Sequence, residues 1–151
     1  MVLRFTKQVD YGLMAMQYLA AHQRDGVIGV KRIADEFRIP PELLAKILQR
    51  LAKGGLMASH GGPHGGYRLR QSLSDVRVGE VIQTLEGPLA IVACMTDRDC
   101  PQLPHCNLRQ PAWKVQAAIA RLLDTMTLAE LMTDDASGPP AGAGKEELPN
   151  S

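Results

Sequence analysis

The stretch PPELLAKILQRLAKGGLMASHGGPHGGYRLR, from Pro40 to Arg70, decides how the rest of the chain is read. Pro41 suits the first turn of a helix, where the N–H it lacks would go unpaired anyway. From there Leu44, Ile47, Leu48 and Leu51 recur at helical spacing as one apolar stripe. Glu42, Lys46, Gln49, Arg50 and Lys53 fall on the other side. The helix is predicted to end near Lys53, because Gly54 and Gly55 most easily take the left-handed conformation of a C-cap. Beyond it, Met57–His60 and Tyr67–Arg70 can pair as strands around a segment of four glycines, Pro63 and His64. That composition permits a tight turn whose backbone can approach another molecule closely.

Working outward, Val30, Ile33, Ala34 and Phe37 predict a shorter helix over about 30–37, stopped at Arg38, Ile39 and Pro40. Two short helices joined by a tight turn outline a helix-turn-helix. A recognition helix needs one anchored face and one face of long hydrogen-bonding side chains that can enter a major groove. An ordinary amphipathic surface helix has the same two faces; the hairpin that follows favours a winged helix. His60, His64, Arg68 and Arg70 are the polar groups of the wing and read as DNA-facing, since neither histidine has a cysteine or carboxylate nearby to make it a metal ligand. Before this unit, Val9, Leu13, Met16 and Ala20 mark a helix over 7–22 with Thr6 as its N-cap.

After the wing, Ser74 and Asp75 lead into a short helix from Val76 to Leu85 that ends at Gly87 and Pro88. Residues 90–110 show no sustained period. From Ala112 a helix resumes, with Val115, Ile119, Leu122 and Met126 on one stripe and Trp113 near its start. Thr127 and Glu130 form a capping-box pattern that opens a last short helix through Met132. The remainder, rich in Gly, Pro, Ala and charge, cannot bury enough apolar surface to order itself. The expected organisation is therefore a DNA-binding unit over 1–88, a cysteine-containing loop over 89–110, helices over 111–134 and a flexible tail over 135–151. The fold class is mainly α with a small β-hairpin.

The net charge of +1 hides an asymmetry: residues 1–72 hold 11 Lys/Arg against 5 Asp/Glu, and residues 73–151 hold 6 against 11. A basic half is what a polyanion-binding module needs, because neutralising phosphates releases condensed counterions. No apolar run approaches the roughly 18–20 residues that span a bilayer, and the N-terminus lacks a signal-peptide pattern. A cytoplasmic protein without a membrane partner is the expectation. No nucleophile–base pair or hydrolytic metal motif points to an enzyme or to a small-molecule substrate.

Cys94, Cys100 and Cys106 are each separated by five residues. An odd count in a cytosolic chain argues against a disulfide framework. Structural zinc sites usually contain Cys-x-x-Cys knuckles, absent here. Three thiolates on a loop with Pro101 and Pro104 could wrap an iron–sulfur cluster, ahead of zinc or redox-active thiols. A cluster normally takes four protein ligands; His105, Asp97, Asp99 and the distant Asp10 are the candidates for the fourth.

Taken in order, these features resemble the Rrf-two family of bacterial winged-helix regulators. The resemblance is carried by residues 4–11, Ile33 and Ala34, residues 48–56, the wing motif at 62–67, residues 78–82 and 85–88, and the three cysteines. It spans roughly residues 2–132. It implies a homodimer on a double-stranded DNA operator, with a long helix over about 112–124 crossing its partner through Val115, Ile119 and Leu122. It also implies that Cys94, Cys100 and Cys106 hold a cluster, 4Fe–4S favoured and 2Fe–2S possible, whose state alters DNA binding. In one group of members that regulate iron–sulfur biogenesis a histidine three residues after the last cysteine completes the site; here that position is Arg109, while the run at 85–90 looks closest to a second group, regulators of SUF cluster assembly. In nitric-oxide-responsive members an aspartate early in the first helix of the other subunit serves, and Asp10 fills that place, with His105 the runner-up. Two DNA-reading positions of that first group, a glutamate and a wing arginine, fall on Ala45 and Gly61 here, so its target sequence does not carry over. Candidate DNA contacts are Tyr11, Glu42, Lys46, Gln49 and Arg50, with His60, Gly61 and His64 on the wing. The implied function is a repressor of iron–sulfur assembly or a related stress regulon. The alternatives are a nitric-oxide-sensing repressor and, from another class, a metal-free thiol/disulfide switch.

Overall fold

The structure, a computed structural model, describes residues 4–95 and 100–133. Helix α1 (Lys7–Ala21) begins where expected: the Thr6 hydroxyl accepts a hydrogen bond from the Val9 N–H at 3.4 Å. Its buried residues are Val9, Gly12, Leu13, Ala15, Met16 and Leu19, so the predicted stripe widens and Ala20 lies at its margin. Helices α2 (Val30–Phe37) and α3 (Pro41–Lys53) follow. Between them Arg38 takes a left-handed conformation, φ 54°, and Ile39 is buried, so the turn is short and pinned to the core. Gly55 (φ 82°) provides the left-handed residue that ends α3.

Strands β1 (Met57–His60) and β2 (Gly66–Leu69) pair antiparallel, with Met57 opposite Leu69 and His60 opposite Gly66. The second strand therefore starts one residue earlier than its side chains suggested. Ile28 adds an isolated third bridge, exchanging backbone hydrogen bonds of 3.0 and 2.8 Å with Tyr67. A Cβ on Gly66 would overlap the Ile28 carbonyl, which explains the glycine at this junction. Burial raises the Tyr67 hydroxyl above its ordinary pKa.

A single 3-10 turn, Leu73–Asp75, precedes α4 (Val78–Glu86), which begins two residues later than expected. The cause is local: Val76 and Arg77 are extended, and Arg77 bridges Thr127. Helix α5 (Arg109–Thr125) starts earlier than expected, because Pro111 sits in its first turn, where proline is tolerated. Thr127 and Glu130 form the predicted capping box of α6 (Leu128–Leu131).

One core joins these elements. Leu44, Ile47, Leu48 and Leu51 of α3 pack with the buried side of α1, with Ile33 and Ala34 of α2 and with Val78, Val81 and Leu85 of α4. Leu128 is wholly buried in the same core, so the terminal helix is attached to the winged unit. The expected tail, 135–151, lies outside the described residues. Among the described residues no helix is long and apolar enough to cross a membrane.

Candidate DNA-reading face and cysteine site

The two-sided pattern of α3 becomes a geometric fact in the fold. Burying Leu44, Ile47, Leu48 and Leu51 turns Glu42, Lys46, Gln49 and Lys53 into solvent. Among the described residues the ion pairs are Lys31–Asp35 and Arg32–Asp25, so neither engages the lysines of α3. Leu43 is 37% exposed beside Glu42. An outward apolar side chain on such a helix suits contact with a thymine methyl. Its signal in the sequence was its position off the buried stripe.

Arg50 is exposed like its neighbours and differs from them in its bonding. Its Nη1 donates to Gln8 Oε1 at 2.8 Å and to the Leu85 carbonyl at 3.3 Å, so the guanidinium lies against α1 and α4. Tyr11 is half-buried against the core, with the Lys7 ammonium 5.9 Å from its ring centroid. At the wing, His60, Gly61, Gly62, Pro63 and His64 are all exposed. Gly62 adopts φ 93° and its carbonyl accepts from the Gly65 N–H at 3.0 Å, closing the turn. Arg68 and Arg70 are exposed on β2 and just after it.

The three thiols sit on the irregular segment between α4 and α5. Cys94 lies in the 3-10 turn Ala93–Met95, and Cys106 caps the turn Leu103–His105. The Cys100 carbonyl accepts from the Leu103 N–H at 3.1 Å. All three are free; Cys94 and Cys100 are half-buried and Cys106 is exposed. Asp10 is half-buried in the first turn of α1, beside a surface hollow lined also by Arg4, Phe5, Thr6 and Lys7. His105 and Arg109 are exposed. Asp97 and Asp99 lie outside the described residues. Among the described residues no three His, Cys, Asp or Glu side chains gather closely enough to hold one metal ion within a single chain. Three unpaired thiols and a separate carboxylate nonetheless have the donor chemistry of an iron–sulfur site.

Helix α5 buries only Ala112. Val115 and Leu122 are 53% and 56% exposed, while Ile119 is half-buried. Ile119 lines an apolar hollow of about 440 Å³ with Phe5, Ile82, Leu89 and Leu123.

The sequence profile of the Rrf2 family, described as an iron-dependent transcriptional regulator, matches residues 5–134. The chain belongs to the Rrf2 family. Among Rrf2 relatives, it is 33% identical over 150 residues to the HTH-type transcriptional regulator IscR of Photobacterium profundum, covering 99% of this chain and 87% of that protein. Of solved structures, it is similar to T. potens IscR at 31% identity and TM-score 0.63, covering 85% of each chain. It is also similar to CymR (YrzC), the global cysteine regulator of B. subtilis, at 26% identity and TM-score 0.64, covering 86% of this chain and 96% of that one. The winged helix-turn-helix expected over residues 30–70 is thus that of an Rrf2 transcription regulator, and the family is one of transcriptional regulators.

Proposed function

We propose that this Rrf2 regulator is a homodimeric, iron–sulfur-dependent repressor acting in the cytoplasm on an approximately palindromic operator. The observation that carries this reading is the set of three free thiols on the one irregular segment that joins the winged unit to α5. The likeness to an IscR along almost the whole chain supports it. Cys94, Cys100 and Cys106 would hold the cluster, and Asp10 of a second copy would complete the ligand set. A 4Fe–4S cluster is favoured and 2Fe–2S is the alternative. When bound, it would supply an oxidant- and nitric-oxide-labile link between the subunits.

The chain's own groups account for the rest. Lys46 and Gln49, with Glu42 beside them, would enter the major groove. His60, Gly61 and His64 would fix the register from the wing. Val115, Ile119 and Leu122 would bury their exposed apolar surface against a second copy, setting the spacing of two α3 helices. Control of iron–sulfur assembly is the first reading of the regulon and a nitric-oxide response the second. The domain division at 88, 110 and 134 follows the same assignment, with the boundary at 110 drawn back to the start of α5 at Arg109 and α6 packed into the core of the winged unit.

A metal-free thiol switch is the second reading, favoured by the exposed Cys106 and by the likeness to a cysteine regulator. Anaerobic purification with absorbance, iron and sulfide analysis separates the two. Coloured protein holding iron and acid-labile sulfide supports the cluster. Colourless, iron-free protein whose thiols pair reversibly supports the switch.

A further inference from the structure

Three helices meet at the place where the cysteine segment leaves the winged unit. The C-terminal turn of α4 ends in Leu85 and Glu86, and the chain reaches Cys94 within eight residues of Glu86. The first turn of α1 carries Gln8 and, two residues on, Asp10. Arg50 is in the last turn of α3, and its Nη1 donates to Gln8 Oε1 (2.8 Å) and to the Leu85 carbonyl (3.3 Å) at once. The Thr6 hydroxyl also donates to the Glu86 carboxylate, tying the same ends of α1 and α4. A carbonyl in the last turn of a helix has no intrahelical partner, and a cation there is favourable. Arg50 therefore caps α4 from the side of α3.

Packing leaves little slack around this clasp. A Cβ on Gly12 of α1 would lie 2.8 Å from Leu85 Cδ1, and one on Gly54, just after α3, would crowd the Thr84 side chain. Close-packed interiors of this kind transmit displacement instead of absorbing it. Glu42, Lys46, Gln49 and Lys53 recur every three or four residues on one face, and Arg50, itself exposed, lies at its edge with its Nη1 turned back to Gln8 and Leu85.

We propose that Arg50 is a positioning residue that couples the cysteine segment and the Asp10 turn to the orientation of α3, and is not itself a DNA contact. The coupling rests on the proposed sensing function; the bonding that carries it does not. Movement of Leu85 or Gln8, when the groups at 94–106 or Asp10 change state, pulls on one guanidinium fixed to the reading helix.

The test uses the full-length dimer with Arg50→Met, which keeps side-chain bulk but no donor, and Gln8→Leu, which leaves α3 untouched. Operator affinity is measured for cluster-loaded and apo protein, together with the salt dependence of the apo form. Iron content is checked in each preparation. In both variants the loaded-to-apo affinity ratio should fall at least about fivefold towards one, with iron content kept and the salt slope of the apo form unchanged. A salt slope reduced by about one in Arg50→Met, with the ratio kept, would make Arg50 a phosphate contact and overturn the proposal. Equal weakening of both forms, with the ratio kept in both variants, would make the clasp merely structural and also overturn it. A wild-type ratio of one is a separate outcome: it removes the sensing function, and the coupling falls with it.

Discussion

Leu48 and Asp10 show how differently single residues can be read. Leu48 of α3 is wholly buried in the core. Leu48→Ala should cost about 2–5 kcal/mol through lost burial and a residual cavity, measurable by denaturant unfolding of the apo protein. A loss under about 1 kcal/mol would mean that the α3 interface is looser than its packing indicates. Its place was legible from periodicity alone. Asp10 has no such signature: it is half-buried beside a surface hollow, and among the described residues it belongs to no group of three side chains that could hold a metal ion. Its role as fourth ligand comes from the family resemblance. Asp10→Ala should lower the iron retained after anaerobic purification and alter the cluster absorbance while leaving apo stability close to wild type. Unchanged iron content and spectrum would transfer the role to another group, His105 first. Arg50 marks the limit of reading at this scale. Its type and spacing fit a groove contact, and only the fold brings Gln8 and Leu85 within reach of it.

At the scale of elements, α1, α2, α3 and the α6 capping box were legible, because each carries a period together with a start or stop signal. The boundaries that moved did so for tertiary reasons. Val76 and Arg77 stay extended because they pair with the 126–128 segment: the Val76 carbonyl accepts from the Leu128 N–H at 2.9 Å, and the Val78 N–H donates to the Met126 carbonyl at 2.9 Å. Ile28 bridges Tyr67 as a single residue, too short to show any alternation. The α6 cap gives a pH-dependent prediction. The Thr127 N–H donates to Glu130 Oε2 at 2.7 Å and the Thr127 hydroxyl at 3.0 Å, and these bonds, the backbone one first, hold the carboxyl below its ordinary value of 4.5. A depressed folded-state pKa contributes stability above the unfolded value, and that contribution is lost as pH falls through the folded one. Glu130→Gln should therefore lower the melting temperature at pH 7, with the gap closing once the pH falls below the ordinary carboxylate range. A gap that persists undiminished at pH 3 would show that the carboxylate charge is not what holds the cap.

For the whole molecule, the winged unit is complete in one chain, whereas α5 is not. It presents Val115 and Leu122 to solvent, and the cysteine segment joined to it gathers no metal-binding group among the described residues. The proposed second copy would answer both features, covering the apolar face and bringing a carboxylate to the thiols. Leu122→Asp should convert the proposed dimer into a monomer by analytical ultracentrifugation, with loss of iron and of tight operator binding. A dimer of unchanged strength would place the interface elsewhere. The sequence pattern alone identified the apolar stripe of α5 but not what covers it, because a periodic stripe looks the same whether its partner is its own core or another chain. In the proposed function, the state of the cysteine site sets operator binding. Its most direct test is an anaerobic titration of one operator with cluster-loaded and apo protein at fixed salt. The dissociation constants should differ at least about tenfold, roughly 1.4 kcal/mol; equal constants and equal site preferences would show that the cysteine site does not control binding.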